Sequence, residues 1–585
     1  MRLLEPVAVG SKRAPNRLLF GPHETNLGSG RAISARHVAY YGRRATGGCG
    51  VIVTETASVH RDDWPYERAP LAAECFAGWA AVADAVHARG SLALASIGHC
   101  GGQGSSAYSQ AVLWAPSRVA DPVSREVLEA TRAGFGATGV LGLRLGCDEL
   151  APWAGITPES AVEIAGALGP LADYVVAVRA PAYDQFGARP DGHTAPGFAL
   201  DLAASLRRAL PGRVAVVAQG SIVDADMAES VVAGGTADLV EMTRAQVADP
   251  DLAAKLDRGA PEEVRPCVLC NQRCLVRDAR NPIVSCIGEP ASGYEWQGAD
   301  APVAEPATTS SDAAVLVVGA GPAGLEAARV AALSGRRVRV VERQARTGGA
   351  LRTAAAGAGR ERLALLADWL EGECRRLGVH FDLSSAAGPG DLAEHAAGGG
   401  SVLVCTGSVP APLPDSDGSV DLKGALDVLE LAGSGRLDDL GDGPVVVDDP
   451  VGDAVAISVT ELLAAAGRSV TLVTGDAVAG TQLARTGDLA PANTRLARAG
   501  VRVVKRSVVV AVAGGRVRVQ ERYTGKEDEI EAAVFVRAAH ALPDEALWGS
   551  APAGSMRAGD AVAPRTAYEA VLEGRRAALA IVGGR

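Results

Sequence analysis

Within RPCVLCNQRCLVRDARNPIVSC, Cys267, Cys270, Cys274 and Cys286 are spaced C-x2-C-x3-C-x11-C. Four thiolates brought to one point suit a 4Fe–4S cluster, because each iron of the cubane takes one external sulfur ligand. A structural zinc is the alternative reading. Zinc ribbons, however, usually supply two separated C-x2-C pairs, whereas here three ligands are bunched and the last arrives after a loop. The other six cysteines (Cys49, Cys75, Cys100, Cys147, Cys374 and Cys405) are scattered and read as small core residues.

A second chemical signature is VLVVGAGPAGLEAARVAALSGRRVRVVER, in which Gly319, Gly321 and Gly324 form G-x-G-x-x-G between a strand and a helix. Glu342 ends the next strand, where an acid binds a ribose hydroxyl, and Arg343 follows it. A pyrophosphate would sit on the helix N-terminus, against unpaired N–H groups and the positive end of the helix dipole. Gly349 in the GG pair at 348–349, Thr406 and Gly407 in CTG, and Asp560 in RAGDAVAPRTAYEAVLEG favour FAD as that dinucleotide. A later unit, GPVVVDDPVGD, departs from the fingerprint: Asp448 and Asp449 stand where glycines would follow the strand. Two carboxylates would repel a pyrophosphate, which disfavours NAD(P)H and leaves an ADP site and a ligand-free half both open.

Nearer the N-terminus, Gly220 and Arg244 fall at the C-terminal ends of the last two expected strands, where β/α barrels bind phosphate. Arg144 closes the run VLGLRL, and a permanent guanidinium charge there would stabilise the anionic N1–O2 edge of a reduced flavin. His23 and His99 also follow strands. A lone histidine is more often a core or loop residue than a ligand.

These residues need a scaffold. The chain has 585 residues, 48% hydrophobic and 21% charged, which is ordinary globular composition. At roughly 100–200 residues each it should form about three to five domains. A net charge of −11 argues against nucleic acid or an anionic membrane as a partner. No run reaches the roughly 18 apolar residues of a membrane span. The opening MRLLEPVAVGSKRAPNR lacks the apolar core of a secretory signal. A cytoplasmic, reducing setting is therefore expected, in which cysteines serve metal or redox chemistry.

Residues 1–262 alternate β-branched runs with amphipathic stretches, the pattern of a parallel α/β barrel. Strands are expected at 17–21, 51–55, 92–97, 140–145, 174–178, 214–220 and 239–244, seven where a closed barrel needs eight. Between them, 98–139 holds a Gly/Ser-rich loop, WAPSRV and one helical stretch around 123–133. The organisation expected is a barrel over 1–262, shortened between about 125 and 135, then a cysteine segment and linker over 263–311. A Rossmann-like FAD domain follows over 312–441 and 541–585, with a second nucleotide-binding-like domain inserted at 442–540.

Barrel, cysteine quartet and Rossmann fingerprint in this order resemble the Old-Yellow-Enzyme-like iron–sulfur flavoproteins, the group of 2,4-dienoyl-CoA reductase, trimethylamine dehydrogenase and related N-demethylases. PNRLLFGPHETNLG, LRLGCDELAPWAGITPE, VVAQGSIVDADMAE and VEMTRAQVADPDLAAKL are similar to that family's barrel motifs, with wording like that of the mycofactocin-associated branch. The resemblance implies FMN in the barrel mouth, the cluster beside it, and FAD or ADP in the C-terminal half. Pro22, His23 and Thr25 would flank the flavin, Arg144 its pyrimidine edge, and Gly220 and Arg244 its phosphate. Hydride transfer at flavin N5 would reduce an activated C=C bond, with single electrons passing to the cluster. An amine dehydrogenase serving an electron-transfer flavoprotein, and a non-catalytic electron carrier, are the other readings.

Three departures stand out. Ser96 replaces a Gln that hydrogen-bonds the ring in relatives. VVVDDPVGD is more like an ADP-binding half than an NADPH-binding one. Relatives also carry a further helix–strand–loop between PSRV and the strand before DEL, holding the fourth strand and the proton donor. Losing a general acid would cost about 10²–10⁴ in rate, so impaired turnover is expected, with Tyr183 and His193 the remaining candidates for proton delivery.

Overall fold

The computed structural model describes residues 1–100, 120–153, 155–180, 184–276, 282–298 and 314–583. They fall into two units, Met1–Asp300 and Ala301–Arg585.

In the first unit the strands are β1 Leu18–Phe20, β2 Val51–Val53, β3 Leu92–Leu94 and β4 Gly142–Asp148, followed by β5 Tyr174–Arg179, β6 Ala215–Ala218 and β7 Leu239–Glu241. They form one parallel sheet in the order β3-β2-β1-β7-β6-β5-β4. The first and last strands are joined, with Leu18 opposite Val240 and Leu19 opposite Glu241, so the sheet curls as a barrel does. Both faces are apolar, as buried parallel strands require. Leu19, Val51, Val176, Val217 and Leu239 fill the inside, with Val9 and Ala14 from an N-terminal hairpin. Leu18, Val175, Val216 and Val240 pack outward under the helices.

The curl stops at β3 and β4, each of which has one neighbour, and no strand bridges them among the described residues. The helix expected around 123–133 is Ala120–Phe135, and its Leu128 packs with Leu141 and Leu168 beside β4. Among the described residues the outer edges of β3 and β4 thus have no ladder partner.

Residues 263–298 are more than a connector. The buried Arg44–Glu295 pair fastens this segment to the barrel, and Arg265, paired with Glu289 within the segment, donates to the Ala248 carbonyl at 3.1 Å. The Ser292 hydroxyl adds a bond to the Val247 carbonyl at 2.6 Å. The Ala/Pro/Ser/Thr-rich linker at the end of the 263–311 segment lies, from residue 299 on, outside the described residues.

The second unit carries a parallel sheet in the order His380–Asp382, Val338–Val341, Val315–Val318, Ser401–Val404 and Met556–Arg557. Its last strand returns after an inserted sheet, the nesting expected from sequence. The inserted sheet runs Asp421–Gly424, Val534–Arg537, Val445–Asp449, Val470–Thr474 and Arg502–Val504. It begins ahead of the expected boundary at 442, because Asp421–Gly424 pairs in register with Val534–Arg537. That strand reads DLKG, with no β-branched residue to announce it; the helix after it buries Val428 and Leu429 in the inserted core. No described helix is long and apolar enough to cross a membrane.

Candidate functional site

At the C-terminal ends of β5, β6 and β7, and beside the third residue of β4, lies a cleft of about 660 Å³, open solvent at its mouth included. Pro22, Arg144, Gly220 and Arg244 meet there, joined by Arg189 and Glu241, which sequence reasoning missed. Gly220 has φ +122° and Ser221 φ +56°, a left-handed turn of the sort that forms anion-binding nests. A Cβ at Gly220 would stand 3.0 Å from the Ala199 nitrogen, so the turn needs glycine. Arg244 is held by its own bonds: it donates to the Pro190 carbonyl at 2.9 Å, to Asn271 Oδ1 at 2.8 Å, and to the Ser221 hydroxyl. Arg144 donates to Glu241 Oε2 at 2.6 Å across the mouth.

The other expected barrel residues lie outside this lining. His23 is buried, with Nδ1 2.9 Å from the Gly21 carbonyl and Nε2 2.9 Å from the Tyr40 hydroxyl. Burial, then the Arg189 charge, hold its pKa down to about 4, so the ring is neutral at pH 7. Thr25 is taken up by Glu55, to which its N–H and hydroxyl donate at 2.6 and 2.7 Å. Glu55 also accepts from His37 at 2.8 Å and from Tyr66. Burial alone would raise Glu55, but the bonds from His37, Tyr66 and Thr25 outweigh it and hold the carboxyl below its usual range. Ser96 shares a hydroxyl bond with Thr56 at 2.9 Å, and the His99 ring lies 6.4 Å from His60. His193 turns Nδ1 to Asp191 at 2.8 Å. Tyr183 lies outside the described residues.

All four cysteines of the quartet line a second, smaller cavity, and Arg244 lines both cavities. Leu269 (φ +54°) and Asn271 (φ +53°) adopt left-handed conformations on either side of Cys270, wrapping the chain around the sulfurs. A leucine bears such a conformation only where its surroundings over-determine it. Burial, then the neighbouring Cys274 and Cys286, push the Cys270 thiol well above its usual range. Burial and Cys267 push Cys286 up to about 12. Thiols that press on one another in this way fit a cationic metal group, which would draw off their protons.

In the second unit the glycine fingerprint is assembled as the sequence implies. A Cβ on Gly319 (φ +101°) would fall 2.3 Å from the Cys405 carbonyl, and one on Gly324 1.9 Å from the Gly319 carbonyl. Gly321 faces open space at the N-terminus of helix Pro322–Leu333, and an ideal Cβ on Gly349 would stand 3.1 Å from its Cα. The Glu342 carboxylate accepts from the Ala320 and Gln344 N–H groups at 2.7 and 2.8 Å, which places it beside that loop. Gly407 (φ +82°) and Thr406, whose hydroxyl donates to the Asp544 carbonyl at 2.9 Å, follow the strand that packs on Gly319. Burial pushes the Asp560 carboxyl up, although it accepts the Arg565 N–H at 3.2 Å. Arg343 is exposed and reaches Asp544 at 3.8 Å.

The inserted sheet ends differently. Asp448 and Asp449 are both buried, and burial raises their pKa values to about 6 and about 7. Asp449 Oδ1 accepts the Gly452 N–H at 2.7 Å, while Oδ2 has no hydrogen-bond partner among the described residues. A carboxyl with folded pKa about 7 against an unfolded 3.8 favours folding below about pH 4 and loses that contribution as pH rises through 7. Asp449→Asn should therefore stabilise the protein at pH 8 by on the order of 2–4 kcal/mol and change nothing near pH 4. Thermal melts at the two pH values check this; equal melting shifts at both would contradict it.

Residues 2–132 match the NADH:flavin oxidoreductase / NADH oxidase family, and residues 317–377 match an NAD(P)-binding Rossmann-like domain. Among similar proteins, a metal reductase of Desulforamulus reducens is 28% identical over 80% of this chain and 78% of its own length. An N,N-dimethylglycine/sarcosine dehydrogenase of Chromohalobacter salexigens is 26% identical over 93% of this chain and 90% of its own. A solved structure of 2-naphthoyl-CoA reductase with 2-naphthoyl-CoA superposes with TM-score 0.86 at 22% identity, covering 99% of each chain, which shows a shared fold.

Proposed function

We propose, for a chain that belongs to the iron–sulfur, Old-Yellow-Enzyme-like branch of the NADH:flavin oxidoreductase / NADH oxidase family, that FMN in the barrel cleft and a 4Fe–4S cluster on the cysteine quartet work as one redox unit reducing an activated C=C bond. One observation carries this reading. Arg244 lines both cavities and bonds to Asn271, the residue after Cys270, so the cleft and the sulfurs share a wall.

The chain's own residues then have definite tasks. Arg244 and the left-handed turn at Gly220 and Ser221 would hold a phosphate, and Arg189 adds positive charge. Arg144 is placed for the pyrimidine edge, and Pro22 lies against the same space. FMN bound there would supply hydride and single-electron chemistry. Cys267, Cys270, Cys274 and Cys286 would bind the iron. The glycine loop around Gly321, with Glu342, would take the FAD pyrophosphate and ribose. Among the described lining residues the sole carboxylate, Glu241, is paired with Arg144. His193, with its ring on Asp191, is the described candidate for proton delivery, although it is not among the lining residues.

A second reading is an amine dehydrogenase whose electrons leave to a carrier such as an electron-transfer flavoprotein. Asp448 and Asp449 favour it, since a buried acidic pair at the strand end opposes an NADPH pyrophosphate. Cofactor extraction from anaerobic protein, followed by assays with an enone and an N-methyl amine, tests both. FMN, FAD and iron are expected, with enone turnover roughly 10²–10⁴ below that of enzymes retaining a general acid. Protein without flavin sinks the reading, and full-speed turnover sinks the impairment.

A further inference from the structure

We propose that Glu241 is a positioning residue that holds Arg144 for itself and thereby sets how strongly the cleft prefers oxidised over reduced FMN. The inference rests on the FMN reading above.

Arg144 on β4 and Glu241 at the end of β7 meet across the cleft mouth at 2.6 Å. The Glu241 side chain is 9% exposed and that of Arg144 34%, so the pair sits half out of water at the entrance. Glu241 is not free to swing away. An ideal Cβ on Gly21 would fall 2.2 Å from its carboxyl carbon, so the acid packs directly on the end of β1. The Thr243 hydroxyl accepts the Gly21 N–H at 2.8 Å and donates to Glu241 at 3.4 Å, which fixes the carboxylate from the other side.

Glu241 is the one anion among the described lining residues; Arg144, Arg189 and Arg244 are all cations. Arg244 is committed to Ser221, Pro190 and Asn271. The carboxylate has thus taken the guanidinium that would otherwise face a negative ring edge. An oxidised isoalloxazine is neutral and loses little by this. A reduced ring carrying charge at N1–O2 would have to compete with the carboxylate for Arg144, whose charge the ion pair already partly neutralises. Glu241 therefore weakens reduced FMN more than oxidised FMN. A purely structural ion pair would affect both redox forms alike.

The test reloads apoprotein with FMN and measures its dissociation constant in the oxidised and the dithionite-reduced state. Glu241→Gln should shift the ratio of the two constants about tenfold toward reduced FMN, equivalent to a rise of about 30 mV for a two-electron couple. Glu241→Ser is the second neutral variant should the glutamine not fold, and circular dichroism checks both. In an Arg144→Gln background the same substitution should move the ratio less than about twofold, because Glu241 acts through Arg144. An unchanged ratio in Glu241→Gln and Glu241→Ser, or an equal shift without Arg144, overturns the inference and leaves the flavin reading standing. Wild-type apoprotein that takes up no FMN in either state overturns both.

Discussion

Anaerobically purified Cys286→Ala protein is expected to lose nearly all of the iron that wild type holds, about four atoms per chain for a 4Fe–4S cluster, while keeping the dinucleotide of its second unit. Cys286 is the informative member of the proposed ligand set because it reaches the sulfur cavity from a separate stretch of chain. Its loop is pinned without metal: the Val284 N–H donates to the Thr25 carbonyl and the Ser285 N–H to the Arg273 carbonyl, both at 2.9 Å. The segment is also fastened by the Arg44–Glu295 pair and by Arg265, which pairs with Glu289 and donates to the Ala248 carbonyl at 3.1 Å. Loss of the sulfur should therefore empty the metal site without unfolding the barrel, whereas metal-dependent domains with no such anchors unfold when stripped. Iron analysis beside a thermal melt checks this. Zinc in place of iron in the wild-type protein, or full iron retention by the variant, would refute it.

The cysteine quartet was legible because three of its four members are local: C-x2-C-x3-C keeps those sulfurs within reach whatever the rest of the fold does. The glycine fingerprint was legible for the same reason, since Gly319, Gly321 and Gly324 answer to steric demands within one strand–helix turn. All seven barrel strands found among the described residues could be read from their apolar runs. What stayed hidden is pairing across the chain. Glu241 closes an apolar strand and meets Arg144 from the far side of the mouth, and neither residue's neighbours announce the other. An acid ending an apolar run was a signal that could have been weighed. Glu55 follows a threonine at the end of β2 and gives no hint of His37, Thr25 and Tyr66 gathering on it. Nor does helix Ala35–Thr46 show that Arg44 points inward, since Arg36 and Arg43 share its sequence and look no different.

That buried arginine carries the largest expected stability effect. Arg44 has a fully buried side chain on helix Ala35–Thr46, and its partner Glu295, at the far end of the cysteine segment, is 4% exposed. The guanidinium also donates to the Tyr40 carbonyl at 2.9 Å and the Ser292 hydroxyl at 2.7 Å, and lies 3.7 Å over the Tyr40 ring. Removing only the acid leaves a cation in the protein interior with no counter-charge, and such a break costs about 3–5 kcal/mol. Glu295→Ala should therefore lower the melting temperature of the first unit by roughly 10 °C, taking about 2–4 °C per kcal/mol for a domain of this size. Replacing both partners with apolar residues of similar volume, Arg44→Met with Glu295→Leu, should restore most of that loss, because neither charge then needs solvation. The anchor also ties the barrel to the segment bearing the quartet, so iron should leave Glu295→Ala at a lower temperature than it leaves wild type. A melting shift below about 2 °C in Glu295→Ala, well under what an uncompensated buried charge costs, would mean that water reaches Arg44 and that the segment is held by other contacts.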